Sequence, residues 1–314
     1  MIKTPLNTVI GGAFWTPEAT IIGGTSKTLN QLIKSLFANG EQGFWYDPND
    51  LSAMYQDAAG AVPVTGVGQP VGLMLDKSKG LVLSNELVTN GDFSNGLSGW
   101  SVQNGTGVIV NGAARLTATS TAQPQLYMPT AFLAGKYVEI SVDSMNRTGG
   151  TGVFVGFYSV TSGVIASVIS NNTSGNIKMI AKIPASFDGG LYCRLNSPTA
   201  GSYVDFDNVS IKEIAGNHAY QTQSAMRPLL VASPQRLDFD TADDKLITNL
   251  PAQLTGCTVV RSVPNVGTQI LTGQTIPTTY NDNTDHCGLI VINRALTATE
   301  TSQITKLFNK AAGV

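Results

Sequence analysis

Between Glu86 and Glu213 the chain alternates apolar and polar residues with a period of two. That period sends successive side chains to opposite faces of a strand, one toward a core and one toward water. Strands are predicted at 108–116, 136–145, 152–159, 164–170, 175–183, 190–196 and 203–211, with Gly, Asn and Ser clusters between them that punctuate strands. Seven strands at this spacing predict a jelly-roll β-sandwich. The most apolar region, 153–169, is interrupted by Thr161-Ser162-Gly163. It therefore reads as a hairpin rather than as the ~20 apolar residues of a membrane helix.

Outside that region the period changes. Leu29, Leu32, Ile33, Leu36 and Phe37 recur at helical spacing, with Ser26 available as cap and Asn39-Gly40 as stop. This predicts a short helix whose apolar face needs a partner: another copy of the chain, a separate protein, or the domain that follows. Residues 1–25, rich in Gly, Thr and Ile and broken by Pro5 and Pro17, read as an extended arm. Near the other end, strands are predicted at 258–263 and 288–293. The capping box Thr297-Ala298-Thr299-Glu300 opens a second helix that ends at Ala312-Gly313.

Composition narrows the functional classes. With 314 residues there is room for two or three domains. Charged residues make up 13%, about half the usual ~25%, and the formal net charge is -2. Without clustered Lys and Arg the chain is not expected to bind nucleic acid. The N-terminus lacks the basic segment and apolar run of a signal peptide, so synthesis in the cytosol without signal-directed export is expected. Cys193, Cys257 and Cys287 have no CxxC spacing. Cys257 and Cys287 either pair across a sheet or, like Cys193, serve as buried thiols.

Two stretches resemble known families. Trp45-Tyr46-Asp47-Pro48-Asn49-Asp50-Leu51-Ser52, followed by Leu73-Met74-Leu75-Asp76-Lys77-Ser78, resembles the opening of a concanavalin-like (laminin-G-like) module of phage and prophage tail proteins. In that family the segment runs almost directly into a Gly-Asn-His-Ala element, then Ala-Arg-Pro and a Leu-x-Phe-Asp strand. Here the continuation is Gly216-Asn217-His218-Ala219, Met226-Arg227-Pro228 and Leu237-Asp238-Phe239-Asp240. Arg294-Ala295-Leu296-Thr297 resembles the closing element. The resemblance implies a reduced concanavalin-like platform formed by 43–83 and 215–314, interrupted by an inserted domain at 84–214. Long surface insertions cost little if their ends lie close together. The fold class expected is thus mainly β, a jelly roll inserted into a reduced concanavalin-like β module, with short N-terminal and C-terminal helices.

The borders of the insert, Asn90-Gly91-Asp92-Phe93-Ser94-Asn95-Gly96-Leu97-Ser98-Gly99-Trp100 and Phe206-Asp207-Asn208-Val209-Ser210-Ile211, resemble jelly-roll carbohydrate-binding modules, whose first and last strands pair. A sugar site needs aromatic faces for the apolar sides of pyranose rings and polar groups for their hydroxyls. Alternation puts Phe154 and Tyr158 on one side of their strand, and Tyr192 and Arg194 complete a candidate groove; the same row would also serve as core or as cover for a neighbour. Trp100 is expected to be a structural plug. Asn90, Asp92 and Asp207 offer oxygen ligands suited to a structural Ca2+, and equally suit turn capping through their own backbone.

No catalytic machinery is expected. The chain has two histidines, His218 and His286, neither in a catalytic motif, and adjacent His286-Cys287 would point to opposite faces of a strand. Asp238, Asp240, Asp243 and Asp244 form an acidic knot that the resemblance places in a scaffold turn. The function expected is that of a non-enzymatic phage virion protein. A tail-fibre or receptor-binding subunit would adhere multivalently to host surface polysaccharide, attach to other virion proteins through residues 1–42, and assemble as a homo-oligomer, by preference a trimer. The alternative is a capsid decoration or head-fibre protein making only protein contacts.

Overall fold

The computed structural model describes residues 28–314, together with the backbone of one antiparallel strand pair, Phe14–Trp15 and Ile21–Ile22. The remainder of the predicted arm lies outside the described residues.

Residues 101–213 form a jelly-roll sandwich of two five-stranded antiparallel sheets. One sheet orders its strands Gly175–Lys182, Tyr137–Thr148, Tyr203–Glu213, Ala113–Ala118, Gly105–Val110; the other orders them Gly163–Ser170, Gly152–Ser159, Gly190–Asn196, Gln125–Pro129, Ser101–Gln103. Alternation places Val153, Val155, Phe157, Leu191, Cys193 and Leu195 in the shared core with Ile140, Val142, Val204 and Phe206, all without exposed surface. The single strand expected at 108–116 is a hairpin instead. Asn111 and Gly112 adopt φ of 51° and 87°, the left-handed pair that a two-residue hairpin turn requires and that an Asn-Gly step favours.

The remaining sheets build an outer sandwich. Leu254–Val263 is flanked by Gly267–Ile276 and Leu289–Ile292, with Gly43–Tyr46 beyond the latter. Facing it is a sheet of short strands, in order Thr279–Asp282, Leu246–Asn249, Ala219–Tyr220, Leu73–Met74, Met54–Tyr55. Phe44, Tyr46, Met74, Leu237, Leu246, Leu289 and Val291 fill the space between. The strands on either side of the jelly roll are direct neighbours, Met74 opposite Ala219 and Leu73 opposite Tyr220. The chain therefore leaves this sheet after Leu75 and returns beside the point of exit.

Two helices cover the outer side of the four-stranded sheet. The first, α1 (Leu29–Leu36), is capped by Thr28 with Gln31 completing a capping box, two residues later than the Ser26 cap expected. Its apolar face, Leu32, Ile33 and Leu36, packs with Phe37 on Trp45, Ile290 and Ile292 and on Ile304 and Phe308 of the second helix, α2 (Ala298–Ala312). Of the partners open to that face, the following domain is the one used. Arg294 ties the helices together, donating to both Glu300 carboxylate oxygens at 2.9 and 2.8 Å and to the Leu36 carbonyl at 3.2 Å. α2 begins on the predicted Thr297–Glu300 box and ends at Gly313, φ 84°. No described helix is long and apolar enough to cross a membrane. All three cysteines are buried and unpaired.

Candidate functional site

The ends of the jelly-roll segment run side by side. Val209 donates its N–H to the Gly91 carbonyl at 2.9 Å, Leu87 donates to the Ile211 carbonyl at 2.9 Å, and Leu83 bridges Ile214. Glu86 fastens the seam, its carboxylate accepting from the Ile211 amide at 2.7 Å and the Ser210 hydroxyl at 2.6 Å. Gly91 is required there, because a Cβ would sit 1.9 Å from the Val209 carbonyl oxygen.

A buried hub joins this seam to the outer sandwich. Asp76 accepts from the amides of Trp45, Ser78 and Asn217 at 2.9, 2.8 and 2.8 Å. Its own N–H donates to Nδ1 of His218 at 2.8 Å. The other ring nitrogen of His218 therefore carries the proton and donates to the Ile214 carbonyl at 3.1 Å. Burial lowers the His218 pKa to about 4. Burial also raises Asp76 to about 6, against the opposing pull of its backbone donors. His218 is thus a structural residue. His286 has no exposed surface and meets Asp282 at 2.7 Å.

The four predicted ligand residues share the outer face of the sheet containing Gly152–Ser159. Phe154 lies opposite Arg194, and Tyr192 lies between Gly156 on one neighbouring strand and Tyr127 on the other. Three tyrosines form a stepped row across the sheet: Tyr158 to Tyr192, 5.7 Å between ring centroids at 75°, then Tyr192 to Tyr127, 4.8 Å at 43°. Tyr158 is 41% exposed. Phe154 is only 4% exposed, because the Arg194 guanidinium lies over its ring at 4.1 Å. Its place is therefore beneath Arg194, which it holds against the outer face. The Arg194 Nε donates to Asn196 at 3.2 Å; its terminal nitrogens make no hydrogen bond among the described residues and remain free to donate. Tyr127 was not anticipated from the sequence. Neither was the Gln125–Gln103 amide pair, 2.7 Å apart on the same face.

The residues proposed for calcium make turn contacts. Asn90 donates to the Gly96 and Ser98 carbonyls, both at 2.9 Å, and accepts from the Asn95 amide at 2.9 Å. Asp92 accepts from the Ser94 amide and hydroxyl at 3.2 and 2.9 Å, and Asp207 from the Asn208 amide at 2.8 Å. Trp100 is buried, tilted against Phe93 at 5.4 Å, and donates its indole N–H to the Asn90 carbonyl at 3.2 Å. The acidic knot is an Asx-type turn: Asp240 accepts from the amides of Ala242, Asp243 and Asp244, which hold its carboxyl below the ordinary range.

Neither any family model nor any curated protein matches the sequence. Among solved structures, the chain is similar to a structure titled "CBM4 structure and function", 15% identical, covering 38% of this chain and 99% of that one, TM-score 0.34. It is similar also to the family 11 carbohydrate-binding module of cellulase Lic26A-Cel5E of Clostridium thermocellum, 15% identical, covering 42% and 95%, TM-score 0.31. A third is the enzymatically active domain of tailspike protein 4 of bacteriophage CBA120, 17% identical, covering 41% of this chain and 21% of that one, TM-score 0.31. At these identities the likeness concerns the β-sandwich alone.

Proposed function

We propose that the jelly roll is a non-enzymatic carbohydrate-binding module and that the tyrosine row is its binding face. The observation that carries this reading is the row itself. Tyr158, Tyr192 and Tyr127 step across three strands on an outward-facing sheet surface, beside an arginine with free terminal nitrogens. The rings, tilted and edge-on to one another, offer apolar faces to pyranose rings, and Arg194 with the Gln125 and Gln103 amides supplies partners for hydroxyls. The absence of catalysis is part of the proposal. It is supported by the burial of both histidines and all three cysteines, with both His218 nitrogens bonded to backbone.

We extend the reading to a phage virion protein, a tail-fibre or receptor-binding subunit, on the strength of the sequence resemblance of the outer module. Weak single sites would gain avidity through homo-oligomers on one particle. Attachment through residues 1–42 would fall to the part preceding Thr28, because α1 is engaged by the outer sandwich.

A glycan array probed with the full chain and with Tyr158→Ala and Tyr192→Ala tests the site. Binding to surface polysaccharides that drops by about tenfold in each variant is expected, from ~1–1.5 kcal/mol per stacked ring. No binding at millimolar sugar, or binding indifferent to both substitutions, would overturn the site and favour a decoration or head-fibre protein with protein contacts only.

A further inference from the structure

A cleft of about 680 Å³ lies where the jelly roll meets the outer sandwich, within the roughly 300–1,000 Å³ of small-molecule sites. Much of its wall is apolar: Ala58 from the outer sandwich and Val164, Ile165, Ile183 and Pro184 from the jelly roll. One cation enters it. Lys182 of the jelly roll is half-buried, its ammonium 3.0 Å from the ring centroid of Tyr220 of the outer sandwich and 5.5 Å from that of Tyr137. Among the described residues no carboxylate pairs with it and no hydrogen bond satisfies it. By contrast, Lys77, Lys136 and Lys178 each have an acidic partner. The Tyr137 hydroxyl is also buried without a partner, although Tyr137 lines the cleft.

An ammonium held only against ring faces, with no counter-charge or hydrogen bond, and an orphaned phenol stand in one largely apolar cleft, and a ligand that bonds both would recover free energy. We propose that this cleft binds a monocarboxylate with a compact, largely apolar body, Lys182 pairing with the carboxylate and the Tyr137 hydroxyl donating to it. A phosphate would call for several donors or an arginine fork, whereas a single ammonium and one hydroxyl match a singly charged carboxylate. Burial alone lowers the Lys182 pKa to about 8, and the groups facing it, Tyr137, Tyr220 and His218, include no acid. A bound carboxylate would supply the missing counter-charge. Because Lys182 and Tyr220 belong to different sandwiches, the occupant would bridge them. The cleft shares no lining residue with the tyrosine row, although Val164 in its wall lies opposite Tyr158, and the proposal does not rest on the sugar reading.

The test is titration of the full chain with benzoate and with its neutral isostere benzamide, followed by NMR or calorimetry. Benzoate is expected to bind about tenfold or more tighter than benzamide, the scale of one charge-assisted hydrogen bond. The preference should disappear in Lys182→Gln, persist in Lys182→Arg and in Tyr192→Ala, and fade as the pH rises past about 8. Equal binding of the two probes, undiminished benzoate binding in Lys182→Gln, or no binding at millimolar benzoate would overturn the proposal. Persistence in Tyr192→Ala, two strands from the cleft wall, separates this cleft from the sugar face, so either can fail alone.

Discussion

Asp76 holds three buried backbone amides from three separate segments, at Trp45, Ser78 and Asn217. Asp76→Ala orphans all three, and at ~1–3 kcal/mol per unsatisfied buried donor a loss of about 3–5 kcal/mol is expected in urea denaturation. His218 gives a pH signature. Its pKa of about 4 lies below the unfolded value near 6.5. The stability it contributes is therefore complete above the unfolded value and is lost as the pH falls toward 4. Asp76, raised to about 6, acts oppositely, its contribution being lost as the pH rises through that value. Comparison with His218→Gln isolates the histidine: the advantage of the native chain should shrink by about 3 kcal/mol between neutral pH and pH 4. Both residues stand in the recognisable Asp76-Lys77-Ser78 and Gly216-Asn217-His218-Ala219 segments. Their mutual contact was not legible, because it spans 142 positions of sequence. Arg194 and Tyr192 were legible through alternation, but the covering of Phe154 by a cation depends on register across two strands.

Among the elements, those with a complete local code were the readable ones. The Thr297 box marks the start of α2 in the local sequence alone, and Thr297→Ala should cost about 1 kcal/mol, measured by thermal or urea unfolding. Gly190–Asn196 was likewise defined by its own alternation and by the turns around it. Gln125–Pro129 was missed, and Tyr127 with it: Pro124 and Pro129 bracket a short alternating run, and flanking prolines read as loop. The Asn111-Gly112 turn was overlooked because apolar residues on both sides suggested one continuous strand. Gly91 shows how an element can depend on a distant one. Gly91→Ala would drive a methyl into the Val209 carbonyl, and a loss of about 3 kcal/mol or more is expected, with amide exchange accelerating first at Leu87, Val209 and Ile211.

For the whole molecule, the interrupted arrangement was legible because family-like text stops after Ser78 and resumes at Gly216. The packing between the two sandwiches was not, since it is made by scattered positions. Leu73, Leu75 and Ala53 of the outer sandwich meet Ile180 of the jelly roll and Ile214 at its exit in one buried cluster. Replacing residues 79–215 by a short Gly/Ser linker should leave the outer sandwich folded, because Met74 and Ala219 already neighbour each other. It should be less stable by several kcal/mol, from re-exposing that cluster at about 25 cal/mol per Å². Failure of the shortened chain to fold would show that the two sandwiches are one cooperative unit.

The seam between residues 83–91 and 209–214 has a mechanical consequence. In domains strung end to end, tension separates each domain's termini and can peel its outermost strands apart. Here both connections leave at the same place, zipped to each other. A load applied to a ligand on the tyrosine face would draw the two connections in the same direction, with no tendency to part them. The grip would let go, or the anchor would, before the jelly roll could be unravelled from its ends.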